Sequence, residues 1–326
     1  MKKKPFYKKY KNVLRGTKLK YNAAIQERYT KAINNLVSRM TKATTKELTR
    51  LFKGEIADDF FDKQAEIAAL DEKSLFDKDF HLDELASSSK KKYQSKSIAS
   101  KSRILLNALT MRYEQLFNQE VPVLVEKMLK DTEKYSKSSI QSSINKMTPD
   151  SFKLKSGLIK KNEKEVYKAL IEENVNYIKS IPQEYFKNIN GAVMRSISSG
   201  TGLPDLVPSI EKSLKQANGK SLKYYDESIA RKAKNIGLDQ TRKAYTAINK
   251  QKLLNIGVKK FEWSHSYGGM NPRKSHIKID GHIFSFENLE KEQAALGVPE
   301  ADRGLPGFPP YCRCVLGAVL NFDEEN

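Results

Sequence analysis

At Gly257 the hydrophobic period of the chain changes, and no other feature of the sequence limits the fold as strongly. Upstream, apolar residues recur at three- and four-residue spacing, the period of an amphipathic helix. Downstream, Val258-Lys-Lys-Phe261-Glu-Trp263-Ser alternates at period two, as a strand with one buried face does. Gly257 stands where a helix over 226–255 needs a C-terminal residue that accepts positive φ. Ile277-Lys-Ile279 and His282-Ile283-Phe284 flank Asp280-Gly281, a type I′ hairpin signal, and Val315 to Phe322 reads as a last strand. The pattern predicts an α+β protein, with mostly helical, elongated N-terminal and middle regions and a small C-terminal α+β domain containing a β-hairpin.

The helical part divides at its breakers. Ile25, Tyr29, Ile33, Leu36, Val37, Met40, Leu48 and Leu51 line one face of a helix over 21–52. The Ser/Lys-rich stretch 87–103 has little to bury and predicts a linker. A helix over 104–130 is expected to kink or break at Pro122, since proline brings no amide donor. A polar stretch over 132–157 follows. The next helix, over 158–180, is expected to end at Pro182; helices over 183–198, 203–215 and 226–255 come after it. Three regions result: a basic helical region with flexible linkers (1–156), a helical body (157–256), and a small α+β subdomain holding a His/Cys cluster (257–326).

Charge is segregated along the chain. Residues 1–53 carry 16 Lys/Arg and 2 Glu, residues 54–85 carry 3 Lys and 11 Asp/Glu, and the whole has a net charge of +20. A basic segment of that density favours a polyanionic partner. Lys2, Lys3, Lys4, Lys8, Lys9, Lys11, Arg15, Lys18 and Lys20 are the candidate contacts to double-stranded DNA, through phosphates and hence without sequence preference. The opening residues lack the apolar run of a signal peptide, and no stretch is apolar enough for a membrane span. Two cysteines are too few for a secreted disulfide framework, which places synthesis in a reducing cytoplasm.

Both cysteines and three of the four histidines fall between Phe261 and Cys314. Imidazole and thiolate suit zinc, and His276, His282, Cys312 and Cys314 would supply the four ligands of a structural site. Arg273 and Asp280 could support it from behind or pair with each other. The spacing is unconventional, and the bland alternative stays open: histidines bonded locally to Asp280 or to carbonyls, and cysteines packed as small apolar groups. Trp263 is expected in the core, His265 at the surface, and Asp239 and Gln240 as helix residues that hydrogen-bond into the small domain.

Gly237-Leu-Asp239-Gln240-Thr241-Arg242, Asn255-Ile-Gly257-Val258, Trp263, Arg273-x-x-His276, Asp280-Gly281 and Cys312-Arg313-Cys314 form an ordered set. It resembles the core of the Mu F-like phage head morphogenesis family. Upstream, Glu173 to Pro182 and the Gly200-Thr-Gly202 turn fit the same pattern, so the likeness covers about residues 165–320. It departs at Gly268-Gly269-Met270, where many relatives carry a charged residue. The resemblance implies a minor head protein of the virion, at the portal vertex or in the head interior, made in the host cytoplasm. The portal protein would be its partner, with scaffold or major capsid protein a further one, and head assembly, DNA packaging or genome delivery its role. It also favours zinc at the His/Cys cluster. The expectation is therefore a protein that is not an enzyme. The rival class is a metal-dependent nuclease or other hydrolase built on the same cluster, with Asp280 as base; a closed set of four ligands argues against it.

Overall fold

Apolar stripes run straight through the two prolines expected to break helices. The computed structural model describes residues 13–64, 97–147, 161–198, 222–267 and 271–321. Helix α1 spans Ala23–Phe52, α2 Ile98–Met147, α3 Lys161–Ser198 and α4 Leu222–Asn255, so Pro122 and Pro182 both lie inside helices. A proline there forfeits one backbone hydrogen bond and costs about 3 kcal/mol. Burial on either side offsets that cost, because Val121, Val125, Ile181 and Tyr185 are almost wholly excluded from solvent. The polar run after Thr132 is also helical, as far as Met147. Its small hydroxyls are buried and matched: Ser136 Oγ lies 2.5 Å from Asn249 Oδ1, and Ser143 Oγ donates to the Thr17 carbonyl at 3.2 Å. A small polar side chain with a partner allows close helix packing where hydropathy suggests a linker. The expected helix over 203–215, the rest of the Ser/Lys-rich stretch before Ser97, and Lys2, Lys3, Lys4, Lys8, Lys9 and Lys11 lie outside the described residues.

The basic segment before α1 contains a strand. Strand β1 (Val13–Leu19) pairs antiparallel with β4 (Val315–Asn321), which pairs on its other side with β2 (Lys260–Ser264), and β2 pairs with β3 (Ile283–Ser285). The four-stranded order is β1-β4-β2-β3, all antiparallel. Gly16 sits in β1 because α2 passes too close for a side chain, a Cβ there falling 2.1 Å from Ser143 Oγ. Asn22 then caps α1, its Oδ1 accepting from the Ala24 amide at 2.9 Å. At the far end of α4, Gly257 adopts φ 85° and turns the chain into β2, as expected.

The tight hairpin expected at Asp280-Gly281 is a wider connection. Residues Lys274–Lys278 form a short helix, α5, and a turn through Ile279–His282 leads into β3. The apparent alternation of Ile277 and Ile279 is helical: Ile279 is buried while Ile277 is exposed. Helix α6 (Leu289–Ala295) and a single 3-10 turn (Glu300–Asp302) complete the region. The fold is α+β, mostly helical, with a small antiparallel sheet near the C-terminus.

The chain divides into two compact units. One comprises the described residues of Met1–Ile33, Val121–Tyr177 and Lys234–Asn326. Its core joins Leu19, Ile140, Ile144, Tyr245, Phe261, Trp263, Phe284 and Leu316. The other comprises the described residues of Asn34–Glu120 and Ile178–Ala233. It is helical and packs aromatic residues, with Tyr113 stacked on Phe186 at 6.2 Å. No described helix is long and apolar enough to cross a membrane.

Candidate metal centre

Cys312 and Cys314 lie immediately before β4, and the approach to the strand brings both sulfurs to the same side of His276 Nδ1. Tyr311 sets the direction of approach with φ 61°, a left-handed conformation that costs a non-glycine residue roughly 1 kcal/mol or more. Its amide is held by Asp239 Oδ2 at 3.0 Å, so the acid on α4 does bond into the small domain as expected. Opposite, α5 carries His276 on its buried face, edge-on to Trp263 with ring centroids 4.9 Å apart. Trp263 is itself wholly buried.

His276, Cys312 and Cys314 are brought together, with one ligand atom of each lying within 4.8 Å of the others. His276 Nδ1 is 3.6 Å from each sulfur. A tetrahedral zinc with Zn–S near 2.3 Å and Zn–N near 2.05 Å places its nitrogen and sulfur ligands about 3.6 Å apart, so the spacing fits the ion. The imidazole is oriented from behind. Nε2 donates to the Asp302 carbonyl at 2.9 Å, which leaves the Nδ1 lone pair facing the sulfurs. Asp302 is fixed in turn, its carboxylate accepting from Arg273 Nε at 2.7 Å and from Ser275 Oγ at 2.6 Å. Gly307 donates its amide to Cys312 Sγ at 3.3 Å, as donors around thiolate ligands commonly do.

Electrostatics favour one thiolate in this pocket. The hydrogen bond from Cys314, helped by His276 and the Gly307 amide, pulls the Cys312 pKa well down despite burial. Cys314, on the other side of the same shared proton, is pushed up, with burial adding to the effect. Burial opposes a charged His276, yet its bonds to Cys312 and the Asp302 carbonyl outweigh that and raise its pKa.

The remaining expected residues sit elsewhere. The His282 ring lies tilted against Phe284 at 4.6 Å and is not among the converging donors. Burial lowers its pKa. Arg273 pairs with Asp302 rather than Asp280. Asp280 instead accepts the His265 amide at 2.8 Å and the Tyr267 hydroxyl at 2.7 Å. His265, expected at the surface, is buried and lines a cleft of about 470 Å³ together with all three donors. Asp302, Ser275 and Gly307 were not singled out from the sequence, since a carbonyl or an amide that orients a ligand has no residue signature. Of the basic candidates among the described residues, Arg15 binds Glu262 at 2.8 Å, while Lys18 and Lys20 are exposed.

Comparison with known proteins bears on the same half of the chain. The model of the family described as phage Mu protein F like protein matches residues 187–317. A protein of Haemophilus influenzae, described as uncharacterized, is 30% identical over 164 residues, which is 50% of this chain. The chain spans 32% of that relative's length. No solved structure matches.

Proposed function

From the match of residues 187–317 to the phage Mu protein F-like family model, we propose that the chain is a member of that family and a minor head protein of a tailed phage. In this reading it resides in the virion, at the portal vertex or in the head interior, after assembly in the host cytoplasm. It binds double-stranded DNA without sequence preference and assists head assembly, packaging or genome delivery. The portal protein is its partner, with scaffold or major capsid protein a further one. The single observation that carries the reading is the family match, which contains His276, Cys312 and the α4 residues facing them. The dense positive charge before Lys53 supports the DNA component.

The three regions of the sequence divide the task in this proposal: 1–156 contacts nucleic acid, 157–256 forms the body, and 257–326 is a subdomain stapled by zinc. His276, Cys312 and Cys314 hold the ion, and Arg273 supports it through Asp302. When bound, zinc would cross-link α5 to the entry of β4. The role is structural and the protein is not an enzyme. One observation favours the rival nuclease, namely three converging donors among the described residues where a closed site has four.

The DNA component is tested by deleting residues 2–12, which removes Lys2, Lys3, Lys4, Lys8, Lys9 and Lys11 and leaves β1 intact. With six fewer lysines to neutralise phosphates, the slope of log affinity against log salt should flatten by up to about 5. An unchanged slope refutes it. Cleavage of plasmid DNA with magnesium, manganese or zinc, abolished by His276→Ala, would replace the structural reading with the nuclease.

A further inference from the structure

Among the described residues three donors converge, one short of the four that zinc prefers, and the chemistry of a fourth ligand can be read from the wall around them. Resting on the zinc reading, we infer that this fourth position opens on the cleft and takes an exchangeable, singly coordinating anion of the carboxylate or phosphate-oxygen class. Arg242 is its counter-cation.

Three observations converge. First, His276, Cys312 and Cys314 all line the same cleft of about 470 Å³, space large enough for a small ligand beside the three donors. Second, the nearby imidazoles are engaged elsewhere: His282 packs on Phe284, and His265 Nδ1 accepts the Tyr267 amide at 3.1 Å and is not among the converging donors. Third, the cleft contains an incompletely bonded cation. Arg242 is 7% exposed, and its Nε has no hydrogen-bond partner among the described residues. Its Nη1 is 3.7 Å from Asp239 Oδ1, beyond a good hydrogen bond. The guanidinium is held over the Tyr21 ring at 5.0 Å, which fixes its position.

Charge makes the pairing specific. Zinc with two thiolates and a neutral imidazole has no net charge, so an incoming anion leaves the centre at −1. A buried guanidinium with a spare donor is the group that offsets it. Arg273, another of the cations lining the cleft, is committed to Asp302 and to the Pro310 carbonyl at 2.8 Å.

The test replaces zinc by cobalt(II) in the full chain and titrates azide, a singly coordinating anion, while following the visible spectrum. A saturable shift of the cobalt bands, with one cobalt per chain retained, is expected. Acetate or inorganic phosphate should compete with azide. Arg242→Lys and Arg242→Gln should weaken azide binding about tenfold, the size of one lost charge-assisted hydrogen bond, with azide-free spectra unchanged. One bound cobalt whose spectrum ignores azide overturns the inference and leaves the zinc reading in place. Absence of any cobalt or zinc binding overturns both. An azide response equal in wild type and both Arg242 variants removes Arg242 from the role.

Discussion

Gly16→Ala separates a strand from a free basic arm by a single methyl group. A Cβ at this position would meet Ser143 Oγ at 2.1 Å, Met147 Cε at 3.2 Å and the Ala318 carbonyl oxygen at 3.4 Å. The methionine end can yield, but the hydroxyl is held by its bond to the Thr17 carbonyl at 3.2 Å. Forcing a methyl into a packed contact costs about 1–3 kcal/mol, and turning the hydroxyl away loses about 1 kcal/mol more. The expected destabilisation is therefore about 2–4 kcal/mol, read as a lower urea midpoint at constant m value by circular dichroism. Ser143→Ala alone should cost about 1 kcal/mol. In the double variant the added methyl enters space vacated by the hydroxyl, so the two losses should fall short of their sum by about 1–2 kcal/mol. In a free arm, alanine for glycine is neutral or slightly stabilising through the unfolded state. A neutral Gly16→Ala, or the same cost with and without Ser143, refutes the packing of β1 on α2.

Metal content gives a second measurement: purified protein should hold about one zinc per chain, His282→Ala should retain it, and His276→Ala or Cys312→Ser should lose it. Arg273→Ala, which frees Asp302, should weaken zinc by about tenfold or more without abolishing binding. Asp239→Asn keeps an acceptor for the Tyr311 amide and removes a carboxyl whose pKa is raised, chiefly by burial. A raised folded-state pKa means stability present below the ordinary carboxyl range and lost as pH rises through the folded value. In metal-free protein, Asn should gain on Asp across that window and then level off; a difference that is flat or runs the other way in urea titrations at several pH values contradicts the burial argument.

Helix identity was legible wherever apolar spacing was long, as in α1 and α4, and the Gly257 cap marked the change to strands correctly. The errors share a cause: local signals lost to tertiary packing. Pro122 and Pro182 read as breaks because their cost is visible in the sequence and the burial of Val121 and Ile181 is not. Strand β1 was hidden by its own Arg15 and Lys18, since its partner lies some 300 residues away and only Leu19 is fully buried. At the candidate metal centre the residue types were legible and the grouping was partly so. Cys312 and Cys314 share a side by their spacing, and His276 joins them. His282 was placed with them because a hairpin would have put both histidines on one strand pair, whereas the short helix α5 turns them apart. His265 sat one residue past a strand, where nothing in the sequence reveals the cleft it faces.

The position of β4 between β1 and β2 also sets a clock on synthesis. Val13 finds its partner only in Asn321, and Leu19 only in Leu316. At about 5–20 residues per second, a ribosome needs roughly 15–60 s to make the intervening chain. Throughout that interval the strand nearest the basic segment has no edge to join, and His276 is made before either cysteine. The sheet and the donor cluster are therefore completed by the same late stretch, Cys312 to Asn321. Premature termination before this point would yield a chain with its helices present, β1 unpaired and the donor cluster short of both sulfurs.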